Sequence, residues 1–383
     1  MSGSVWEPLT LNKLSINNRW MRSATWEGFA APNGDITPKL VEFYKDLANG
    51  GLGLIISSHT YIRPDGALAF GMSGIVDDEQ AKTHIPLVEA VHAVDGAKIV
   101  CQINHTGALT STETPICCSK LDDQPELQAI IGIKPNAHEL TTKEMEDLED
   151  VYVRAAVRCK NIAGYDGVQF HGAHQYFIAQ TLSELTNQRT DVYGQDRSLF
   201  FTNVVRKTRE AVGPDFFLMA KINGSDFLEI DGKARGTTIE STLEYLKPVA
   251  DLLDAVEVSG GGAIKGSAAP GRKGNLFPVA NQGYHTEQAK TIKERFGEKM
   301  KVILVGGIRT PKAANKFIDS GVCDAVSMSR PLIVQPDLIK RLKADPEADR
   351  VACVSCSKCH TKIVEMGGLA CANDAVLKKL GRE

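Results

Sequence analysis

Short apolar runs alternate with amphipathic stretches along most of the chain. Eight of these runs are short, continuously apolar and rich in β-branched residues, as is typical of strands in a parallel sheet that helices cover on both faces. The predicted strands are residues 20–24, 52–57, 97–103, 167–170, 216–222, 255–258, 302–305 and 325–328.

Amphipathic segments with the period of an α-helix lie between these runs and after the last one. They cover residues 38–48, 78–94, 143–163, 198–212, 239–253, 286–296, 311–320 and 337–343. Eight strands that alternate with eight helices predict an α/β fold of the (β/α)₈ TIM barrel type. A doubly wound sheet is the main alternative, but the G-x-G-x-x-G turn typical of it follows none of the predicted strands.

Two segments are predicted to depart from the regular barrel. Residues 111–139 and 260–283 read as long loops, which in a barrel are expected to cover the mouth. We predict that residues 1–345 form the barrel and that residues 346–383 form a cysteine-rich extension packed on it.

Composition narrows the class of function. The formal net charge of -3 gives no general attraction to nucleic acid or to an anionic membrane. The sequence has no apolar stretch long enough to span a bilayer and no secretory signal pattern. The nine cysteines suggest no disulfide framework, so we expect a reducing, cytoplasmic compartment. We expect a homo-oligomer that acts on a small-molecule substrate.

Polar side chains gather where the predicted strands end, and in a barrel those ends face the active site. The positions are Ser23, Ala24, Thr25 and Trp26 after the first strand, Gln102 in the third, His171, His174 and Tyr176 after the fourth, Lys221 in the fifth, Gly306 and Gly307 after the seventh, and Ser329 and Arg330 after the eighth.

The last two strand ends suit a phosphate group. Barrels often bind phosphate in the loops after strands seven and eight. Gly306 and Gly307 allow backbone N–H groups to approach an anion, and Arg330 adds a permanent charge. A glycine pair alone is also typical of a simple tight turn, so the phosphate interpretation rests on the pairing with Ser329 and Arg330.

The segment after the fourth strand carries the most chemistry. His171 and His174 are able to hydrogen-bond and polarise a carbonyl or nitro oxygen, and Tyr176 is able to protonate a carbon. Two histidines also suggest a metal, but no third ligand is close in sequence. Satisfied core histidines are the remaining interpretation.

The stretch from His171 to Gly194, HGAHQYFIAQTLSELTNQRTDVYG, resembles the signature of the old yellow enzyme family of NADH:flavin oxidoreductases. Similar motifs in the same order extend the resemblance over about residues 6–342. The resemblance implies FMN at the barrel mouth. It implies a flavin-binding role for Ser23, Ala24, Thr25, Ser58, Gln102 and Lys221, a phosphate-binding role for Gly306, Gly307, Ser329 and Arg330, and substrate contacts for Trp26, His171 and His174, with Tyr176 as proton donor.

The activity implied by the resemblance is that of an ene-reductase. NADH or NADPH would supply hydride, and the C=C bond of an α,β-unsaturated carbonyl compound would accept it. Two alternatives stay open: an amine or N-methyl demethylating dehydrogenase, and an electron-transfer subunit that contains FMN and an iron–sulfur cluster. Trp26 stands where smaller residues are common in the family, which leaves the size of the substrate open.

Four cysteines follow the barrel with the spacing C-x2-C-x2-C-x11-C, at Cys353, Cys356, Cys359 and Cys371. This spacing suits a [4Fe–4S] cluster. It resembles the pattern after the barrel in the dienoyl-CoA reductase and trimethylamine dehydrogenase branches of the family, although the third spacing differs. Zinc and unliganded thiols are the two alternatives.

Overall fold

The computed structural model describes residues 4–345 and 351–382. At its centre is a closed barrel of eight parallel strands, in which each strand pairs with the next along the chain and the last pairs with the first. The strands are β1 (Trp20–Arg22), β2 (Leu54–Tyr61), β3 (Ile99–Asn104), β4 (Gly167–Gly172), β5 (Phe217–Asn223), β6 (Ala255–Ser259), β7 (Lys301–Val305) and β8 (Ala325–Met328). The predicted (β/α)₈ TIM barrel is therefore confirmed.

One helix follows each barrel strand and packs on its outer face. These helices are α1 (Pro38–Asn49), α2 (Ile85–His92), α3 (Thr142–Arg158), α4 (Leu199–Val212), α5 (Ile239–Leu246), α6 (Thr286–Phe296), α7 (Pro311–Asp319) and α8 (Leu338–Ala344). Their apolar faces and the outward residues of the strands form the largest buried cluster. A continuous apolar stripe explains why these segments are helical here, because each helix buries it against the sheet.

Shorter strands and helices lie outside the eight barrel strands and their eight helices. Antiparallel two-stranded sheets are formed by Leu9–Leu11 with Leu14–Ile16 and by Leu228–Ile230 with Lys233–Arg235, and a parallel pair by Ile116–Cys117 with His138–Glu139. Short α-helices are Asp78–Thr83, Pro125–Ile131, Phe177–Leu182, Val192–Gln195, Arg330–Val334, Lys358–Thr361 and Asp374–Lys379. Turns of 3₁₀-helix are Ser4–Trp6, Pro64–Gly66, Gly107–Leu109 and Val279–Asn281, and Cys159–Ala163 is a π-helical turn.

The N-terminal hairpin closes the bottom of the barrel. Leu11, Leu14 and Ile16 are buried and pack with inward-facing residues of the strands, among them Met21 and Phe217. This end of the interior is therefore filled with side chains, as is typical of TIM barrels. The opposite end, where the strands finish, is left for a ligand.

Most predicted elements match the structure within about three residues, and the exceptions have physical causes. The predicted helix 78–94 is two helices, because Pro86 in the first turn of α2 has no N–H with which to continue the preceding one. The predicted helix 239–253 ends at Leu246, two residues before Pro248. Strand β2 continues to Tyr61, four residues beyond the predicted end at residue 57.

A buried ion pair holds the loop after β1. Arg22 donates to Glu27 Oε1 at 2.8 Å and to the carbonyl oxygen of Thr25 at 3.2 Å, and Tyr44 of α1 also donates to Glu27. The side chains of Arg22 and Glu27 are each 3% exposed. Because both ends of the pair lie on the same short segment, the pair fixes the path of residues 23–27 at the mouth.

The described part of the C-terminal extension contacts the barrel at several points. Arg309 donates to the carbonyl oxygen of Cys353 at 2.5 Å and also to Ser355 Oγ. The N–H of Leu369 donates to the carbonyl oxygen of Glu27 at 2.6 Å. Residues 346–350 and 383 of the predicted extension, and residues 1–3 of the predicted barrel, lie outside the described residues. In the part of the chain that is described, no helix is long and apolar enough to cross a membrane.

Replacing Glu27 with Ala should lower the free energy of unfolding by about 3–5 kcal/mol, because it leaves the Arg22 charge buried without its partner. Glu42→Ala is the matched control: Glu42 pairs with Lys45 at the surface, where such pairs contribute less than about 1 kcal/mol. Denaturant unfolding followed by circular dichroism measures both. Similar losses in the two variants would show that the buried pair has no special role.

Candidate active site

A cavity of about 520 Å³ opens at the carboxyl ends of the barrel strands. The predicted site residues that line it are Ser23, Ala24, Thr25, Trp26, Gln102, His171, His174, Tyr176, Lys221, Gly307, Ser329 and Arg330. Ser58 and Gly306 are not among its lining residues. Positions from the first strand to the last thus share one pocket, as the barrel interpretation requires.

Histidine and tyrosine rings form one wall of the cavity. The His171 ring centroid lies 4.6 Å from that of Tyr176 and 5.2 Å from that of His174, with the ring planes nearly perpendicular in both pairs. Between them the backbone is left-handed at His174, with φ of 60°, and at Gln175, with φ of 62°. Non-glycine residues rarely adopt this conformation, and it is often retained at functional sites.

These side chains are uncharged near neutral pH. Burial, together with the neighbouring His174, His59 and Lys221, holds the pKa of His171 well below its usual range. Burial and the nearby Lys221 do the same to the pKa of His174, and burial raises the pKa of Tyr176 to about 12. The wall therefore offers neutral imidazoles and a protonated phenol, whose hydroxyl makes no hydrogen bond to any described residue.

A buried ion pair lies at the floor of the cavity. Lys221 Nζ is 3.2 Å from Glu257 Oε2 and donates to Ser23 Oγ at 2.7 Å. Glu257 is fully buried and accepts hydrogen bonds from Gln169 at 3.0 Å and Ser327 at 2.6 Å. Burial alone would raise the pKa of Glu257, but Lys221 and these hydrogen bonds hold it below its usual value. Glu257 therefore lies beside Lys221 as a carboxylate.

Gln102 extends this polar floor. Its side-chain nitrogen donates to Gln169 Oε1 at 2.6 Å, and its Oε1 is buried with no hydrogen-bond partner in the part of the chain that the structure describes. An unpartnered buried carbonyl is costly, so it suits a ligand that brings an N–H donor to this position.

The far end of the cavity is suited to an anion. Gly307 has a left-handed φ of 75°, and a Cβ there would lie only 3.1 Å from the Tyr284 ring, so a side chain would strain the turn. Arg330 donates to Ser357 Oγ at 3.1 Å and to the carbonyl oxygen of Arg272 at 2.8 Å. Among the described residues Arg330 has no carboxylate partner, so its charge is available to a ligand.

Several residues that line the cavity were not predicted from the sequence: His59, Ser259, Tyr284, Arg309, Ser357 and His360. His59 was missed because β2 was predicted to end at residue 57: residues 57–60 read Ser-Ser-His-Thr, so the apolar run ends before the strand does. Ser357 and His360 belong to the C-terminal extension, whose approach to the mouth leaves no local signal in the sequence.

The two long loops behave differently. Ala269, Pro270, Gly271 and Lys273 of the segment 260–283 line the cavity. No residue of 111–139 lines it. That segment buries Cys117, Leu121 and Ile131 in a separate apolar cluster that also contains Ile264 of the other loop.

The four C-terminal cysteines converge. Cys353, Cys356, Cys359 and Cys371 all line one cleft beside the helix Arg330–Val334, and all four thiols are free of disulfide bonds. Within residues 4–345 and 351–382, however, no group of three or more histidine, cysteine or acidic side chains is arranged to hold a metal ion. The thiols share a cleft without standing at ligand spacing.

Known proteins that are similar to this chain belong to the flavin-dependent oxidoreductases. A model of the NADH:flavin oxidoreductase / NADH oxidase family matches residues 4–349. An NADH oxidase of Thermoanaerobacter brockii is 32% identical over 352 residues, which cover 91% of this chain and 52% of that protein. An NADPH dehydrogenase of Clostridium acetobutylicum is 28% identical over 338 residues, covering 87% of this chain and 92% of that protein.

Solved structures are similar to this chain as well. The structure of the old yellow enzyme homologue from Zymomonas mobilis superposes with a TM-score of 0.72 at 26% identity, covering 92% of this chain and 95% of that one. The chain spans only about half the length of the Thermoanaerobacter NADH oxidase and of a similar metal reductase from Desulforamulus reducens.

The pH dependence of stability should reveal the buried His285 behind Gly306. This residue is 2% exposed, neither ring nitrogen has a hydrogen-bond partner among the described residues, and burial lowers its pKa to about 3 from 6.5. Below pH 6.5 the unfolded chain binds a proton at this imidazole and the folded chain does not. The free energy of unfolding therefore decreases as the pH is lowered. His285→Phe should remove about 2 kcal/mol of the loss between pH 7 and about pH 5. Urea unfolding at both pH values tests this, and parallel curves for variant and wild type would contradict it.

Proposed function

The chain belongs to the NADH:flavin oxidoreductase / NADH oxidase family of enzymes, and from this we propose that it binds FMN and uses NADH or NADPH to reduce the C=C bond of α,β-unsaturated carbonyl compounds. The observation that carries the proposal is the wall of neutral His171 and His174 beside the protonated Tyr176. Hydrogen-bond donors and a proton donor at one place are what reduction of a polarised alkene requires.

The residues around the cavity fit FMN. Arg330, Ser329 and Gly307 would hold its phosphate, the unpartnered Gln102 Oε1 would accept from a ring N–H, and Lys221 would lie by the part of the ring that becomes negative on reduction. Ser23, Ala24 and Thr25 would lie along the ring, with Ser58 and Gly306 supporting it from behind the wall. When bound, FMN supplies the hydride acceptor and donor.

The protein's own part in the reaction is to orient, polarise and protonate. His171 and His174 would donate to the carbonyl oxygen of the substrate and draw electron density from the C=C bond. Tyr176 would then give its proton to the α-carbon, a role supported by a pKa near 12 that keeps the phenol protonated. Trp26 donates a hydrogen bond to the carbonyl oxygen of Phe70 at 3.1 Å, and its ring would limit the space available to the substrate.

One cavity serves both substrates in this proposal. The nicotinamide would bind first, leave after hydride transfer and be replaced by the alkene. A demethylating dehydrogenase would instead reduce the flavin with an amine. Anaerobic mixing with NADH, NADPH or a tertiary amine separates the two, since only the donor that bleaches the flavin absorbance within seconds is a substrate.

The cofactor released from the purified protein should be FMN, about one per chain. The end of the cavity formed by Gly307 and Arg330 suits one phosphate, and the sequence has no dinucleotide turn for a second nucleotide. Mass spectrometry of the supernatant after denaturation identifies it. FAD, or no flavin after reconstitution with excess FMN, would refute the assignment.

Tyr176→Phe should slow reoxidation of the flavin by cyclohexenone about 10²- to 10⁴-fold while changing its reduction by the nicotinamide far less, because only the alkene step needs a proton donor. Stopped-flow absorbance resolves the two half-reactions. Tyr245→Phe on α5, outside the cavity, is the control. Equal slowing of both half-reactions would assign Tyr176 a packing role instead.

We further propose that Cys353, Cys356, Cys359 and Cys371 hold a [4Fe–4S] cluster. Their convergence in one cleft and their thiol state support this, and the extension would have to tighten around the metal. Alkene reduction at the barrel mouth does not require the cluster, because the nicotinamide already supplies the hydride.

Protein prepared without oxygen should contain about four irons and four acid-labile sulfides per chain. Cys359→Ala should lower both, whereas Cys323→Ala, at a buried thiol outside the cleft, should leave them unchanged. Elemental and sulfide analysis provides the measurement. Tightly bound zinc or metal-free protein would refute the cluster and leave the flavin proposal intact.

A further inference from the structure

Two arginines, Arg309 and Arg330, bind the C-terminal extension to the barrel, and both also line the cavity. Arg309 donates to the carbonyl oxygen of Cys353 at 2.5 Å and to Ser355 Oγ. Arg330 donates to Ser357 Oγ at 3.1 Å. One short segment of the extension therefore accepts hydrogen bonds from two guanidinium groups, at the end of the cavity that suits an anion.

Neither guanidinium group is neutralised by the described residues. In that part of the chain, the side-chain hydrogen bonds of Arg309 and Arg330 all end on carbonyl or hydroxyl oxygens, and no acidic residue lines the cavity. Arg309 is 2% exposed, and its Nε is buried with no hydrogen-bond partner among the described residues. A buried cation without a counter-charge is costly, and an unpartnered buried donor adds to that cost.

Two other arginines of the barrel show what a balanced guanidinium group looks like. Arg22, also 2% exposed, is paired with the carboxylate of Glu27 at 2.8 Å. Arg209, whose side chain is 15% exposed, is paired with the carboxylate of Asp254 at 2.8 Å. Arg309 is as buried as Arg22 but lacks such a partner among the described residues. A phosphate in the cavity would supply the counter-charge, because guanidinium groups bind phosphate oxygens through paired N–H donors.

The segment that accepts these hydrogen bonds has an unusual backbone. Ser355 and Ser357 are both left-handed, with φ of 57° and 60°. Non-glycine residues rarely adopt this conformation, which persists only where the surrounding contacts hold it. Ser355 is fully buried, and its hydroxyl accepts from Arg309. The path of the segment therefore depends on where the two arginines lie.

We propose that a phosphate group bound between Arg309 and Arg330 holds residues 353–357 of the extension on the barrel. In the proposed function, on which this inference rests, that group is the phosphate of FMN. The phosphate neutralises the two cations and keeps both guanidinium groups where they donate to the segment. Without it the like charges repel each other, and the segment loses the contacts that hold its left-handed residues. Because coupling between two binding events is reciprocal, the docked segment also strengthens the binding of the phosphate.

Hydrogen exchange followed by mass spectrometry tests the docking directly, with riboflavin as the probe that has the ring of FMN but no phosphate. Peptides over residues 351–361 contain the hydrogen-bonded N–H groups of Ala352, His360 and Thr361. They should exchange roughly tenfold faster in riboflavin-loaded than in FMN-loaded protein, a size usual for coupling between two sites. Peptides over α8 should exchange equally in both. Equal exchange of residues 351–361 with the two flavins would overturn the inference.

Flavin affinity provides the test from the side of the cavity. Arg309→Leu should weaken the binding of FMN about ten- to a hundredfold, the effect of a lost charged hydrogen bond, and that of riboflavin less than about twofold. Arg309→Lys, which keeps the charge, should recover part of the loss. Fluorescence titration gives both dissociation constants, and Lys316→Gln, at an exposed position of α7, is the control. Equal weakening of both flavins by Arg309→Leu would show that Arg309 has only a packing role.

A variant of the extension provides the reciprocal test. Ser355 does not line the cavity, and Ser355→Gly removes the hydroxyl that Arg309 bonds while suiting the left-handed φ. This variant should weaken FMN about three- to tenfold and riboflavin less than about twofold. Unchanged FMN binding would show that the segment and the phosphate are not coupled, which would contradict the inference.

These tests also separate the inference from the proposed function. If FMN binds and NADH or NADPH reduces it, but neither exchange nor affinity distinguishes the two flavins, the flavin proposal stands and the inference fails. If neither flavin binds, inorganic phosphate at constant ionic strength is the probe. Slower exchange of residues 351–361 in phosphate than in chloride would then keep the link between the arginines and the segment while the FMN proposal fails. No difference between the two salts would overturn both.

Discussion

Hydrogen bonding around a closed ring of eight parallel strands determines where every strand ends. Because all eight run in the same direction, the residues that follow Arg22, Asn104, Gly172 and Met328 meet at one mouth, although they are far apart in sequence. The other end is filled by the hairpin of Leu9–Leu11 and Leu14–Ile16. Direction and closure together leave one place in the barrel where polar side chains are able to surround a ligand.

Charge is distributed unevenly around the mouth of the barrel, and the proposed function depends on this distribution. At the floor, Lys221 is balanced by the fully buried Glu257, so a cation is held next to the ligand without a net charge being buried. At the far end, Arg330 has no carboxylate partner among the described residues and suits a phosphate. Along the wall, burial lowers the pKa of His171, His174 and His59, so these rings are neutral near neutral pH.

The barrel and most of the residues at its mouth could be predicted from the sequence, because both depend on local patterns. The strands are short apolar runs, and the chemistry of His171, His174 and Tyr176 lies within six consecutive residues. His59 was missed because residues 57–60 are polar, so the apolar run ends before the buried strand does. Ser357 and His360 were missed because tertiary folding alone brings the extension to the mouth. The disposition of the four cysteine sulfurs is likewise a property of packing, which spacing does not determine.

The most direct test of the account is anaerobic stopped-flow spectroscopy of the purified, FMN-loaded protein. The flavin absorbance should bleach on mixing with NADH or NADPH and return on a second mixing with cyclohexenone, with cyclohexanone formed in an amount equal to the flavin. A flavin that the nicotinamide does not reduce, or that stays reduced in the presence of cyclohexenone and other activated alkenes until oxygen is admitted, would contradict it.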